Sequence, residues 1–302
     1  MTEPLSHWDV HASVAIGLVL LGGLYVYLGG LLARRRQIVA FAAGLVVVFA
    51  TLNGPLHELS DRYLFSAHMV QHLLLTMLFA PLLLYGLPTG AARRVLAIPG
   101  IRAVLSPIAR PVPAAVAFSG VMALWHLPPF YEAAMRNHDL HIVQHLTFIA
   151  SAVLVWWPIL SPVPEVPRIP YPAQLLYLFL LGIPMSVVGA LITLSESVLY
   201  PFYVGVPRLW ELTPLVDQQL GGLIMWIPGG LTFWVAMTVV WFRWSHREET
   251  ADVERAVPLE AYTGPILRPP SRRADAAAAP PRSSGARATG SSPWRSPRGR
   301  SR

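Results

Sequence analysis

Three observations predict that this chain is an all-α membrane protein, a bundle of seven transmembrane helices. Hydrophobic residues make up 54% and charged residues only 13% of its 302 residues, a balance that a soluble core does not need. The charges collect between the apolar runs rather than inside them. Seven runs approach the roughly 20 residues that a helix needs to cross a hydrocarbon core about 30 Å thick, and in lipid a helix satisfies its own backbone groups.

The runs lie near 11–33, 37–53, 66–87, 111–128, 140–160, 173–195 and 218–242. Residues 1–11 lack a basic n-region and a small-residue cleavage site, so the first run reads as an uncleaved anchor. The second is short and leads into a loop holding His57 and Arg62. The third opens on His68-Met-Val-Gln-His72 and contains Pro81; the fourth closes on Trp125-His126-Leu-Pro-Pro. His141-Ile-Val-Gln-His145 opens the fifth, which runs into Trp156-Trp157-Pro158, and Pro184 marks a break in the sixth. The seventh begins Asp217-Gln-Gln-Leu-Gly221-Gly222. Its Gly221, Gly222, Gly229 and Gly230 allow close approach to a neighbour, and Pro228 is expected to kink it. From residue 246 the composition turns to Arg, Ala, Pro, Ser and Gly, which cannot bury enough surface to offset chain entropy. The expected organisation is a seven-span domain over 1–245 and a disordered cytoplasmic tail over 246–302.

Arginine placement orients the bundle. Arg34, Arg35 and Arg36 follow the first span, Arg93, Arg94, Arg102 and Arg110 lie between the third and fourth, Arg168 follows the fifth, and Arg243 and Arg247 follow the seventh. All fall on one side, which the positive-inside rule makes cytoplasmic. The N-terminus is then outside, the C-terminus inside, and the expected location is a bacterial plasma membrane. The net charge of +7 does not imply nucleic acid, because much of it sits in the tail, whose arginines suit anionic lipid headgroups.

With that topology nine of the ten histidines fall on the extracytoplasmic side, leaving His246 inside. A pair at i, i+4 shares one helix face, about 6 Å apart along the axis at roughly 1.5 Å per residue. Ionisable side chains a turn inside a membrane helix are costly unless they pair, face a cavity or bind something. His68, His72, His141 and His145 are therefore candidates for metal ligation or proton relay, with His126 at matching depth. His7, His11, His57 and His138 read as ordinary interfacial side chains. Asp217 reads either as a helix cap or as a carboxylate that ligates the metal or orients an imidazole. Met69, Met77, Met122 and Met225 could offer thioethers, though packing is the commoner role of such methionines. The two histidine phrases lie 73 residues apart on spans that enter from the same side, the pattern of a parallel helix-pair repeat.

Several chemistries are excluded. Without cysteine there are no disulfides or thiolate metal sites, and without lysine there is no retinal Schiff base. No serine or acid sits in a nucleophile motif, so the chain reads as a non-enzyme. Two rivals remain: a haem-binding electron-transfer protein, and a metal or proton transporter. The first would draw one imidazole from each of two facing helices but finds no span histidine in the inner half. The second lacks charges deep in the spans.

His68-Met-Val-Gln-His72, Trp125-His126-Leu-Pro-Pro-Phe-Tyr131, His141-Ile-Val-Gln-His145 with Trp156-Trp157-Pro158, and Asp217-Gln-Gln-Leu-Gly-Gly-Leu-Ile-Met225-Trp226-Ile-Pro228 together resemble the caa3-type cytochrome c oxidase assembly factor family, the Bacillus-type CtaG proteins. The resemblance covers roughly residues 10–245. It implies a multi-span plasma-membrane protein that assembles cytochrome c oxidase, handling copper for subunit I and taking it from an extracytoplasmic copper donor. Its histidine motifs fall on His68, His72, His126, His141 and His145, and its acidic motif on Asp217. Imidazole suits copper, zinc and iron alike, and copper is the cofactor expected here.

Overall fold

The computed structural model describes residues 10–256, and all regular structure among them is helical. Each apolar run is a helix: α1 (Ala12–Tyr27), α2 (Arg35–Asn53), then, after the short α3 (Pro55–Arg62), α4 (Phe65–Gly86). Two short helices, α5 (Thr89–Leu96) and α6 (Ile101–Ile108), lead to α7 (Pro111–His126) and α8 (Pro128–Arg136). The chain continues through α9 (His138–Leu160), α10 (Tyr171–Thr193) and α11 (Pro214–Ala256).

Five helices, α2, α4, α9, α10 and α11, are long and apolar enough to cross a membrane. The pair α6 and α7 passes the same test together but bends by 83° between them, so α6 turns across the end of α7. Helix α1 is apolar but has 16 residues, about 24 Å at roughly 1.5 Å per residue. Its early end has a local cause: Gly29 takes a φ of +81°, a left-handed conformation that stops a helix.

The residues sort inside out relative to a soluble protein. Val19, Leu32, Val112, Leu191 and Phe242 point outward, while Gln71, Gln144, Gln174, Asp217 and Gln218 are buried. Helix α4 packs against α2 and α9, and α7 against α9 and α10. Helix α11 joins α10 backbone to backbone. A Cβ on Gly222 would meet the Thr193 backbone nitrogen at 2.7 Å and the Gly189 carbonyl at 2.9 Å, the small-residue contact expected of membrane helices. Gly230, by contrast, faces open space.

Two expectations are refined. Helix α11 runs through Pro228 without a break and continues to Ala256, past the point at which the tail was expected to lose structure. Side-chain bonds from Trp244 to Glu248 and from Ser245 to Glu249 supply i, i+4 pairs over that stretch. The rest of the expected tail, from residue 257, lies outside the described residues, as does His7.

Candidate metal centre

The site begins with how two helices are started. The first amides of α4 have no partner within the helix. The Asp217 carboxylate, from the first turn of α11, accepts from the Phe65 N–H at 2.7 Å, the Ser66 N–H at 3.1 Å and the Ser66 hydroxyl at 2.6 Å. It is fully buried and faces the positive end of the α4 dipole. Helix α9 starts more conventionally, with the Asn137 side chain accepting the Leu140 N–H at 3.0 Å. These two caps set the height of His68 and His72 on α4 and of His141 and His145 on α9.

The two pairs converge. His68, His72, His126, His141 and His145 are all under 9% exposed, and their rings form one continuous cluster. The His68 ring stacks on His141 at 5.2 Å and lies 4.3 Å from His72; His145 lies 4.5 Å from His141 and 5.5 Å from His72; His126 lies 5.9 Å from His72. One nitrogen each from His68, His141 and His145 fall within 4.8 Å of one another. A bound ion sits roughly 2.0–2.1 Å from each imidazole nitrogen, which separates tetrahedral ligands by about 3.4 Å, so the three rings need close by only about an ångström to share one.

Hydrogen bonding leaves the cluster underpaired. His68 Nε2 and His72 Nε2 lie 2.8 Å apart, so one carries the proton and the other accepts it. The His126 Nδ1–H donates to the Met122 carbonyl at 2.6 Å, which leaves its Nε2 a bare lone pair. His72 Nδ1, His126 Nε2, His141 Nε2 and His145 Nε2 are all buried without a partner. Buried polar atoms are rarely left so, and four in one cluster have the chemistry of a ligand set.

Residues that the sequence reading passed over surround the cluster. Asp61, on α3, places one oxygen 3.5 Å from His57 Nε2 and 3.7 Å from His141 Nδ1, as a carboxylate orienting a ligand does. Burial pulls the His57 imidazole below its ordinary value, while Asp61 works against that shift. The Gln71 side-chain amide lies 3.1 Å from His57 Nδ1 and donates to the Thr51 carbonyl at 3.0 Å. The loop after α10 folds over the site. Tyr203 donates to the Ser60 carbonyl, lies 2.9 Å from the Tyr131 hydroxyl and reaches to 3.5 Å of His68 Nδ1. Tyr200 donates to the carbonyl of His126. Burial holds the Tyr131 and Tyr203 hydroxyls well above their ordinary pKa, so both stay neutral. Tyr131 stood inside a quoted motif; Asp61 and Tyr203 carried no sequence signal beyond being polar groups in histidine-flanking loops.

A cleft of about 440 Å³ runs beside the cluster. His11, Ser13, His57, Asp61, His138, His141 and His145 form its polar part, and apolar residues of α1, α2, α4 and α9 form the rest. His11 and His57, read as interfacial from sequence, stand edge to face at 4.6 Å. Asp217 is not among the three residues brought together as ligands, and its carboxylate is engaged at the start of α4. His72 stands edge to face to His145, and Phe148 packs tilted against His72 and edge to face against His126. At the opposite end of α4 and α9, Arg34, Arg36, Arg168 and Arg243 line a cavity of about 520 Å³.

A family model described as cytochrome c oxidase caa3 assembly factor matches residues 23–247. Uncharacterized proteins of Mycobacterium bovis and Mycobacterium tuberculosis are each 29% identical over 292 residues, covering 85% of this chain and 43% of the relative. One of Mycobacterium leprae is 24% identical over 270 residues, covering 82% and 40%. The chain thus spans less than half the length of the curated relatives it matches. No solved structure matches it.

Proposed function

The chain belongs to the cytochrome c oxidase caa3 assembly factor family, and from that premise we propose that it binds copper in the histidine cluster and delivers it to the oxidase. Copper is cargo here, and the protein's work is to hold and release it without catalysing a reaction. The observation that carries the reading is the convergence of one nitrogen each from His68, His141 and His145, with His141 Nε2 and His145 Nε2 buried and unpartnered. Imidazole ligands suit copper, and neutral ligands exchange readily. The polar part of the cleft, with His11, His57 and Asp61, supplies a route by which an extracytoplasmic donor loads the cluster. Asp217 serves from behind, by fixing the helix that carries two of the ligands.

The same reading sets the protein in a bacterial plasma membrane with seven spans, N-terminus outside and C-terminus cytoplasmic. In its favour are the separation of histidines and arginines to opposite ends of α4 and α9 and the positive-inside rule. Helix α1 then spans with help from its flanking residues or from local thinning of the bilayer. The recipient is subunit I of the oxidase. Copper content of detergent-purified protein tests the reading. His141→Ala with His145→Ala should lose the cluster's copper and fail to restore oxidase activity in a deletion strain, and unchanged stoichiometry in the double variant would sink it.

A further inference from the structure

Beside His72, a turn further along α4, a second cavity of about 20 Å³ is lined by His72, His126, Met69, Met122, Met185 and Met225, with Leu73, Phe118 and Phe148 and with Thr76, whose hydroxyl donates to the His72 carbonyl. It is the size of a single water-sized occupant, which takes about 10–15 Å³ on this measure. The histidines and methionines are all under 9% exposed. His72 Nδ1 and His126 Nε2 are buried without partners, and the Met122 carbonyl that fixes the His126 tautomer belongs to a residue that lines the same space. The methionines come from α4, α7, α10 and α11. Room for one of them is made deliberately: a Cβ on Gly229 would stand 2.3 Å from the Met185 methyl and 3.2 Å from its sulfur.

We propose that this cavity is a second metal station, selective for a soft monovalent ion such as Cu(I), held by His72, His126 and thioether sulfurs. Its chemistry differs from that of the outer cluster. Thioether is a soft ligand that prefers Cu(I) to harder divalent ions. The lining includes no carboxylate, and because the cost of burying an ion rises with the square of its charge, a wholly neutral ligand set in apolar surroundings favours charge +1 over +2. An ordinary methionine core would account for the sulfurs but not for two buried imidazole nitrogens left without partners beside them. His72 also connects the stations, since its Nε2 lies 2.8 Å from His68 Nε2. An ion moving between them exchanges ligands without leaving the protein or changing oxidation state. The inner site stands on its own geometry; it rests on the proposed function only for the direction of transfer.

Ag(I), soft, monovalent and redox-inert, probes the inner site, and Zn(II) probes the outer cluster. X-ray absorption of the Ag(I)-loaded, detergent-purified chain should show sulfur in the coordination shell. Met122→Leu with Met185→Leu conserves volume and should lose that sulfur signal with a fall of about tenfold or more in Ag(I) affinity, while Zn(II) binding stays as in the parent. A nitrogen-only shell in the parent overturns the proposal whatever the variant does, and so does a sulfur shell and affinity unchanged by the double substitution. His141→Ala with His145→Ala should abolish Zn(II) binding and keep the sulfur shell. If it keeps Zn(II) binding, the outer reading fails while the sulfur shell still decides the inner one. If the sulfur shell disappears with the outer histidines, the inner station is overturned as a separate site.

Discussion

At one end of α4 and α9, histidines crowd together out of solvent with four nitrogens unpartnered; at the other, about 27 Å away along α4 at roughly 1.5 Å per residue, arginines surround an open cavity. Both ends are basic, yet they carry different information. At the arginine end Arg168 donates to the Ser161 carbonyl at 2.9 Å, Arg93 pairs with Glu165 at 2.7 Å, and both guanidinium groups reach solvent, while Glu165 Oε2 is buried without a partner. Such charges orient a chain in a bilayer and rest on headgroups. The histidine end is largely buried and incompletely bonded, and the helix that carries His68 and His72 is started by a buried carboxylate. Charge density therefore does not mark the site; a cluster of buried imidazole nitrogens without partners does.

The strongest challenge to this contrast is to release the histidine end from its cap. Asp217→Ala leaves the first amides of α4 and the Ser66 hydroxyl unpaired and should cost about 3 kcal/mol, since bonds to a buried charged group carry roughly 1.5–3 kcal/mol each and some water will enter. Denaturant unfolding in detergent reads this, and metal content should fall with it. Stability unchanged by the substitution would show that the carboxylate does not set the height of His68 and His72.

Gly222→Ala acts farther from the histidines. Its Cβ would run into the Thr193 and Gly189 backbone and should cost about 2 kcal/mol, in the range of overpacked contacts, separating α10 from α11 and disturbing Met185 and Met225 more than His68. A thermal unfolding midpoint together with Ag(I) affinity would follow both consequences. Tyr203→Phe removes the hydroxyl that bonds Ser60 and Tyr131 and should cost about 1 kcal/mol. Because Tyr203 only overlies the cluster, copper stoichiometry should survive while release quickens, measured by transfer of copper to a chelator.

The smallest effect belongs to the arginine end. Arg243→Gln should change stability by no more than about 0.5 kcal/mol and leave metal content as it was. Loss of bound copper in that variant, measured beside the His141 and His145 substitutions, would break the division between the two ends.

Much of the fold is legible along the chain, because a membrane helix announces itself by length and hydropathy and needs no partner to do so. Each of the seven expected runs contains a helix, five with ends within about two residues of expectation, while the first ends early at Tyr27 and the last runs on to Ala256. The histidine pairs are legible for a similar reason: i, i+4 spacing is a local property of one helix. What lies across the bundle is not. In the sequence Asp217 reads as a ligand, an imidazole acceptor or a cap, but the helix it caps begins 152 residues earlier, and nothing in its neighbourhood points there. Met185 carries no sequence signal yet lines the sulfur-rich cavity, whereas Met77, a thioether candidate from sequence, does not. Asp61 and Tyr203 matter only because α3 and the loop after α10 fold back over His141 and His68.

By itself, then, the sequence determined the helices, the family and the residue types able to hold a metal, since periodicity, composition and short motifs are written within single segments. The tertiary structure alone decided that α4, α7 and α9 present their imidazoles to one another, that methionines of four helices share one small space with two of those imidazoles, and that an aspartate starts a helix not its own. The physical reason is that convergence depends on how helices cross and where their backbones can touch, and those distances are set by packing between segments far apart in the chain.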